Sequence, residues 1–246
     1  MFKKTIKADY NPRYQKLITF AGYTFLLQFI LFVCQIIFIA KNASVLSYGA
    51  KGEWTEFLLQ INQHPDLFLG KQILFLALRT CYTISFLGLG IAFLRKNKSI
   101  SIVMVTSVLV AVPMINLGTL YQITLIQLSH SYADAVANHA IQSITAYEIT
   151  AKTLYSSTEY ADLFVNIVPF LFAFICLFIL MLKEPFFQYS KWIVVLIALL
   201  PFNRFVKMPA GINLASGLLN IAGTIIVFIV LGVYLLKLSM NPYDEK

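Results

Sequence analysis

The stretch Ile73–Leu94 reads ILFLALRTCYTISFLGLGIAFL and decides the fold class. It contains one charged residue, Arg79, and ends at the basic sequence RKNK, residues 95–98. As a helix, this stretch is long enough to cross the hydrocarbon core of a bilayer, which takes roughly 20 residues at about 1.5 Å each. Short loops rich in Lys and Arg stay in the cytoplasm, so the basic sequence predicts that this end of the helix faces inward.

The composition of the whole chain agrees with a membrane protein. Its 246 residues are 59% hydrophobic and 12% charged, whereas soluble domains are about 45–50% apolar and about 25% charged. The formal net charge of +8 does not indicate a nucleic-acid partner, because most Lys and Arg residues lie at one end of the apolar segments. We read the basic excess as a topology signal, and we expect the lipid bilayer to be the partner.

The apolar runs on both sides of Ile73–Leu94 predict an all-α, polytopic integral membrane protein. We expect one membrane domain, residues 1–246, built as a six-transmembrane-helix bundle with both termini in the cytoplasm (N-in/C-in). The predicted spans are about 17–40, 73–94, 100–128, 163–182, 192–205 and 214–236. The remaining segments are a cytoplasmic lead, 1–16, two outer loops, 41–71 and 129–162, and a cytoplasmic tail, 237–246.

Both outer loops carry signs of helix. In the first loop, Trp54, Phe57, Leu58 and Ile61 recur at i, i+3, i+4 and i+7, which predicts a short amphipathic helix at the outer interface. A packed loop is the alternative. The second loop is rich in Ala, Ser, Thr and Tyr, and its many good helix formers favour a surface helix over disorder.

Polar side chains within the spans concentrate in the outer half of the predicted bundle. An amide without a partner in hydrocarbon costs several kcal/mol, so these groups must meet one another or water. They form either a wet, outward-facing pocket for a small anionic ligand or hydrogen bonds that join helices. The residues that we expect to bind a ligand in the first case are Arg79, Gln28, Gln35, Asn116, Gln122, Asn166 and Asn220.

Arg79 tests the same alternatives. It lies roughly 10 Å below the outer end of its span, at about 1.5 Å per residue, which is within reach of a snorkelling side chain. In the functional interpretation it faces the bundle interior and binds an anion, or it pairs with an acid of the outer loops. The preferred ion-pair partner is Asp162, followed by Glu159 and Glu148.

No catalytic motif stands out. The chain has no HExxH, no GxSxG and no P-loop, so the common protease, hydrolase and ATPase mechanisms lack their parts. His130, Asp134 and His139 of the second outer loop are weak candidates for a metal site, because their spacing matches no known ligand signature. We therefore assign no catalytic residue, metal or cofactor.

Three local sequences carry a resemblance to a known group of proteins. They are GIAFLRKNKSIS at residues 90–101, LIQLSHSY at residues 125–132, and Ser190-Lys191-Trp192. In these the chain resembles a domain-of-unknown-function family of uncharacterised six-span bacterial inner-membrane proteins. The resemblance implies a six-span fold and a bacterial cytoplasmic membrane, and it implies no activity. The family pattern has an acidic residue in the third span, and this chain has none there.

Two functional classes follow from these patterns. The chain is either a non-catalytic subunit, docking a membrane-protein partner or a second copy of itself, or a ligand-binding protein with an outward-facing polar pocket. A small-solute transporter or permease is an alternative form of the second class. A membrane enzyme that uses the outer-loop histidines is a distant third.

Overall fold

The computed structural model describes residues 12–43, 52–167, 169–182, 184–199 and 210–240. Within these ranges the chain is almost entirely helical and contains no strand, which confirms the predicted all-α class. Short 3-10 turns at Pro12–Tyr14 and Pro185–Phe187 precede helices. The helices are α1 (Gln15–Lys41), α2 (Trp54–Gln63), α3 (Pro65–Phe93), α4 (Lys98–Ala137), α5 (Ile141–Ile167), α6 (Pro169–Leu182), α7 (Lys191–Leu199) and α8 (Ala210–Met240).

Prolines mark where several helices begin. Pro65 and Pro169 are the first residues of α3 and α6. A proline suits this position, because its missing N–H is not needed in the first turn and its fixed φ matches the helix. Pro113 is different, since α4 continues through it. The helix α4 ends at a turn in which His139 adopts a φ of 55°.

Four helical segments in the described ranges are long and apolar enough to cross a membrane. They are Gln15–Lys41, Pro65–Phe93, Lys98–Ala137 and Ile221–Met240. The first is α1, and the last is the C-terminal part of α8. A shorter apolar helix covers Leu171–Leu182. By length and composition, these four helices could cross a membrane, which is consistent with an integral membrane protein.

Helix ends differ from the predicted span ends in several places. The helix α3 begins at Pro65, ahead of the predicted start at residue 73. This first part of α3 mixes polar and apolar residues, and its Phe68 is buried. Similarly, α4 continues past residue 128 to Ala137. The predicted fourth span, 163–182, includes the end of α5 and all of α6, and Pro169 begins the second of these helices. Part of the predicted fifth span, 200–205, lies outside the described residues.

The chain folds into two compact units, and α1, α3, α4 and α5 each contribute residues to both. The first unit comprises Met1–Ile30, Arg79–Val112 and Val165–Lys246. The second unit comprises Leu31–Leu78 and Pro113–Phe164.

Small residues bring the helices of the first unit close together. Gly88 of α3 lies against Ala21 of α1, and a Cβ at Gly88 would overlap the Ala21 methyl group. Gly232 of α8 packs on α1, where a Cβ would lie 3.0 Å from Leu26 Cδ2 and 3.1 Å from the Gly22 carbonyl oxygen. Close backbone approach of this kind is typical of helix packing in membranes, where burial of apolar surface does not drive association.

The second unit has its own apolar core. The predicted short helix is present as α2, and its face of Phe57, Leu58 and Ile61 is buried. Residues from α3, α4 and α5 complete this core, so α2 is a packed element of the unit. The buried core residues are Phe57, Leu58, Ile61, Phe68, Leu125, Tyr132 and Ala151.

Candidate functional site

The second unit contains a pocket beside the first turn of α2. Its volume is about 380 Å³. The described residues that line it are Gly52, Glu53, Trp54, Thr55, Glu56 and Glu148.

The start of α2 presents polar side chains to this pocket for local reasons. Gly52 has a φ of 77°, a left-handed conformation that glycine adopts without a Cβ clash, and the helix begins directly after its N-cap residue, Glu53. Glu53 and Glu56 are three residues apart and lie on one side of the helix. Both glutamates line the pocket.

Glu148 of α5 supplies the third carboxylate. Its Oε1 accepts a hydrogen bond of 2.6 Å from Thr55 Oγ1 and one of 3.0 Å from the hydroxyl of Tyr132. Hydrogen bonds to an ionised acceptor are about twice as strong as neutral ones. This carboxylate therefore joins α2, α4 and α5, and its position at the pocket wall is well defined.

Two neighbouring aromatic rings hold the Trp54 indole in place. The ring centroid of Trp54 lies 5.6 Å from that of Tyr155 and 6.0 Å from that of Phe57, both in edge-to-face geometry. Tyr155 and Phe57 are themselves 5.6 Å apart. Burial raises the pKa of the Tyr155 phenol, and the nearby Glu159 carboxylate raises it further. Tyr155 is therefore neutral near pH 7.

The pocket has the chemistry of a cation site. Three of the described residues that line it are glutamates, and none of these lining residues is Lys or Arg. Trp54 also lines the pocket, and an aromatic face in contact with a cation contributes about 0.5–2 kcal/mol. Glu56 accepts a hydrogen bond of 2.9 Å from Gln60 Nε2, which restrains its carboxylate. The arrangement suits an ammonium or guanidinium group.

The seven residues predicted to bind an anionic ligand divide between the two units. Those in the ranges of the first unit are Gln28, Arg79, Asn166 and Asn220, and those in the second are Gln35, Asn116 and Gln122. Gln28 and Gln35 are buried, Arg79 and Gln122 are half-buried, and Asn116 is exposed. The side chains of Asn166 and Asn220 lie outside the described residues. That these residues share one pocket stays a prediction.

The proposed acid partners of Arg79 have different surroundings. Glu148 is bonded to Thr55 and to the Tyr132 hydroxyl, as described above. Glu159 is exposed, and the Asp162 side chain lies outside the described part of the chain. An ion pair of Arg79 with one of these acids stays a prediction.

Gln28 takes part in a polar chain between α1 and α3. Its Nε2 donates to Ser85 Oγ over 2.5 Å, and Ser85 Oγ lies 2.8 Å from Thr24 Oγ1. All three side chains are buried. Thr24 also donates to the Ala21 carbonyl oxygen. At this point of the first unit the buried amide joins two helices, which is the second of the two roles that the sequence allows.

His130, Asp134 and His139 have separate surroundings. His130 Nδ1 lies 2.6 Å from Asn62 Oδ1, and His139 is part of the turn that follows α4. Both histidines and Asp134 are exposed. Within the described ranges, no three His, Cys, Asp or Glu side chains come together in a way that could hold a metal ion.

Sequence reasoning missed two features of these sites. Ser85 is a lone serine in an apolar span, and only its contact with Gln28 distinguishes it. The carboxylates of Glu53 and Glu56 were visible beside Trp54, but their pocket depends on Glu148, which is far away in the sequence.

Comparison with protein-family models, with curated proteins and with solved structures finds no match for this chain.

Proposed function

We propose that the chain is a six-span, N-in/C-in protein of a bacterial cytoplasmic membrane that binds a cationic ligand on its outer side without catalysing a reaction. The observation that carries this proposal is the pocket of the second unit, which has three glutamates and one indole among its lining residues. The pocket differs from the predicted one in its ligand, because its charge selects a cation over an anion.

The distribution of charge supports the orientation. The ranges of the first unit contain fifteen Lys and Arg and four Asp and Glu, whereas those of the second contain four and seven. Basic segments between spans stay in the cytoplasm, and acidic ones contribute little to orientation. We therefore assign the segments that line the pocket, residues 52–56 and Glu148, to the outer side.

The helices allow six spans. Four segments are long and apolar enough by themselves. We assign the fourth predicted span to α6 with the end of α5, and the fifth, about 192–205, begins in α7 and continues outside the described residues. The helix α6 is 14 residues long and highly apolar. A segment of this length needs additional residues to cross a core of about 30 Å.

A second candidate function is that of a docking subunit, and the surface of α5 favours it. Ile141, Ile149 and Tyr160 are 76%, 62% and 72% exposed. Helix α5 is not among the candidate spans, so we take these exposed side chains as candidate contacts with another protein. A solute transporter remains the alternative if the bound cation crosses the membrane.

Topology is tested by cysteine labelling in intact cells. In a variant with Cys34, Cys81 and Cys176 replaced by alanine, we introduce Asn138→Cys at the α4–α5 turn or Asn97→Cys before α4. A membrane-impermeant maleimide should label the first variant in intact cells and the second only after the membrane is opened. The reverse pattern would overturn the orientation.

Ligand binding is tested separately in the purified protein. With Trp192→Phe, the emission of Trp54 reports on the pocket alone, and we titrate it with tetramethylammonium and with acetate. We expect a saturable response to the cation only, and Glu148→Gln should weaken it by about tenfold, or about 1.4 kcal/mol. Glu159→Gln is the matched control, because Glu159 is exposed and does not line the pocket. No saturable response, or an equal response to acetate, would exclude a cation site.

A further inference from the structure

Four aromatic rings close one end of the first unit. The ring of Tyr234, near the end of α8, stacks on Phe93 at a centroid distance of 5.7 Å. It also packs on Phe186 at 5.3 Å and on Phe187 at 4.5 Å. Phe93, Phe187 and Tyr234 are buried. This aromatic cluster therefore joins the end of α3, the end of α8 and the 3-10 turn after α6.

Two lysines lie against this aromatic cluster. Lys96 Nζ is 5.9 Å from the Phe93 ring centroid, and Lys237 Nζ is 5.8 Å from the Phe186 ring centroid. Lys96 also forms an ion pair with Glu184. Lysine stems cover apolar surface while their ammonium groups extend to water, so both ammonium groups mark the level at which the apolar part of the unit ends.

The same end of the unit is strongly basic. Gln15 Nε2 donates to the Ser239 carbonyl oxygen over 2.8 Å, which places the start of α1 beside the end of α8. In the described part of the first unit, Glu184 is the one acidic residue. The described basic residues at this end are Arg13, Lys16, Arg95, Lys96, Lys98, Lys191 and Lys237.

Exposed aromatic side chains accompany these charges. Tyr14 is 45% exposed, Tyr189 is 74% exposed and Trp192 is 62% exposed. Tyr14 precedes α1, and Tyr189 and Trp192 lie on either side of Lys191, so all three occur beside basic residues. Tyr and Trp are enriched at membrane–water interfaces, where the ring is in the headgroup layer. These exposed aromatic side chains assign the basic end to the headgroup level of a bilayer.

We propose that this basic end binds the phosphate headgroups of anionic phospholipids, with Lys96 and Lys237 as contacts. Positive charge complements the phosphate, and the aromatic cluster below the two lysines restrains their stems. The inference rests on the membrane-spanning helices and does not depend on the pocket of the second unit. Loss of one such lysine is expected to weaken lipid binding by about fivefold.

The test is native mass spectrometry of the full chain during lipid titration. Phosphatidylglycerol and phosphatidylcholine with identical acyl chains are added to the purified protein in detergent. We expect phosphatidylglycerol to bind more tightly, and Lys237→Gln to weaken it by about fivefold. The double variant Lys96→Gln, Lys237→Gln should lose more. Lys237→Gln alone leaves the ion pair between Lys96 and Glu184 in place, so its result stands if the double variant does not fold.

The matched control removes two lysines from the second unit. Lys71→Gln, Lys152→Gln changes the net charge equally, and Lys71 Nζ likewise lies over a ring, 6.0 Å from the Phe75 centroid. This control should retain the preference for phosphatidylglycerol. Equal binding of the two lipids by the unmodified protein, or equal loss in the control, would overturn the proposal. Displacement of phosphatidylglycerol by inorganic phosphate would overturn it in favour of a soluble phosphate ligand.

Discussion

Gln28 of α1 donates a 2.5 Å hydrogen bond to Ser85 of α3, and the neighbouring hydroxyls determine its direction. Thr24 donates its proton to the Ala21 carbonyl oxygen, so it accepts from Ser85. Ser85 has then used its own proton and accepts from the amide of Gln28. The chain of donors therefore runs from Gln28 through Ser85 and Thr24 to Ala21, and it orients the Gln28 amide.

Ser85→Ala should destabilise the protein by about 1–3 kcal/mol, because the buried Nε2 of Gln28 loses its acceptor. Adding Gln28→Leu should recover part of this loss, since a pair without polar groups leaves nothing unsatisfied. The free energies of unfolding are measured by SDS titration in mixed micelles. Strictly additive effects of the two substitutions would contradict the direct bond.

Gly88→Ala should cost about 1–3 kcal/mol, because the new methyl group overlaps that of Ala21 and forces α1 and α3 apart. Gly70→Ala in the same helix is the matched control. There a Cβ would lie 3.8 Å from Phe38 Cζ, an ordinary contact, so we expect no loss of stability.

The exchange variant Ala21→Gly, Gly88→Ala moves the methyl group from one helix to the other. It should regain most of the stability that Gly88→Ala loses, and thermal unfolding in detergent measures the difference. If the exchange variant is no more stable than Gly88→Ala, the contact between these two residues is not the cause.

Tyr132→Phe should destabilise the second unit by about 1.5–3 kcal/mol, because it removes a hydrogen bond to the Glu148 carboxylate from a side chain that is only 1% exposed. Thr55→Val removes the other hydrogen bond to the same oxygen, but Thr55 is exposed, so we expect a change of about 0.5 kcal/mol or less. The free energies of unfolding of the two variants are measured with Trp54 emission as the signal and then compared. Equal costs would show that burial is not the deciding factor.

Tyr155 should make the second unit sensitive to alkaline pH. Burial and the Glu159 carboxylate raise its pKa above the ordinary value of 10.0. Because the folded pKa is the higher one, the contribution of the neutral phenol to stability is complete below about pH 10 and is lost as the pH rises beyond it.

Trp54 provides the measurement, since its ring lies 5.6 Å from that of Tyr155 and a phenolate quenches indole emission. In the Trp192→Phe background, the emission should stay constant to about pH 10 and fall only above it. Tyr155→Phe should abolish the fall. A midpoint below pH 10 would contradict the raised pKa.

The hydropathy pattern was enough to predict helices, because a segment that cannot hydrogen-bond to lipid must satisfy its backbone internally. The helices α1, α3, α4 and α8 follow from this, and α2 follows from the spacing of its apolar residues. The positions of the helix ends were harder to predict. The segments that extend α3 back to Pro65 and α4 forward to Ala137 mix polar and apolar residues, so hydropathy does not predict where these helices end.

The contacts within the candidate site, in contrast, could not be predicted from the sequence. Glu53 and Trp54 are neighbours in the sequence, but Glu148 joins them only because α5 packs beside α2. In the same way, Gln28 was predicted to bind a ligand or to join two helices, while its partner Ser85, a lone serine in an apolar span, gave no signal of its own. Pairing of distant residues depends on the register at which two helices meet, and helix periodicity within one segment does not specify that register.

Composition and periodicity by themselves determined that this chain is helical and apolar enough to enter a membrane, because these properties follow from residues close together in the chain. Only the tertiary structure decided which carboxylates share a pocket, which hydroxyl receives the amide of Gln28, and that Lys96 and Lys237 lie on one aromatic cluster. The physical reason is that such contacts depend on the close approach of helices, which Gly88, Gly232 and the core of the second unit permit.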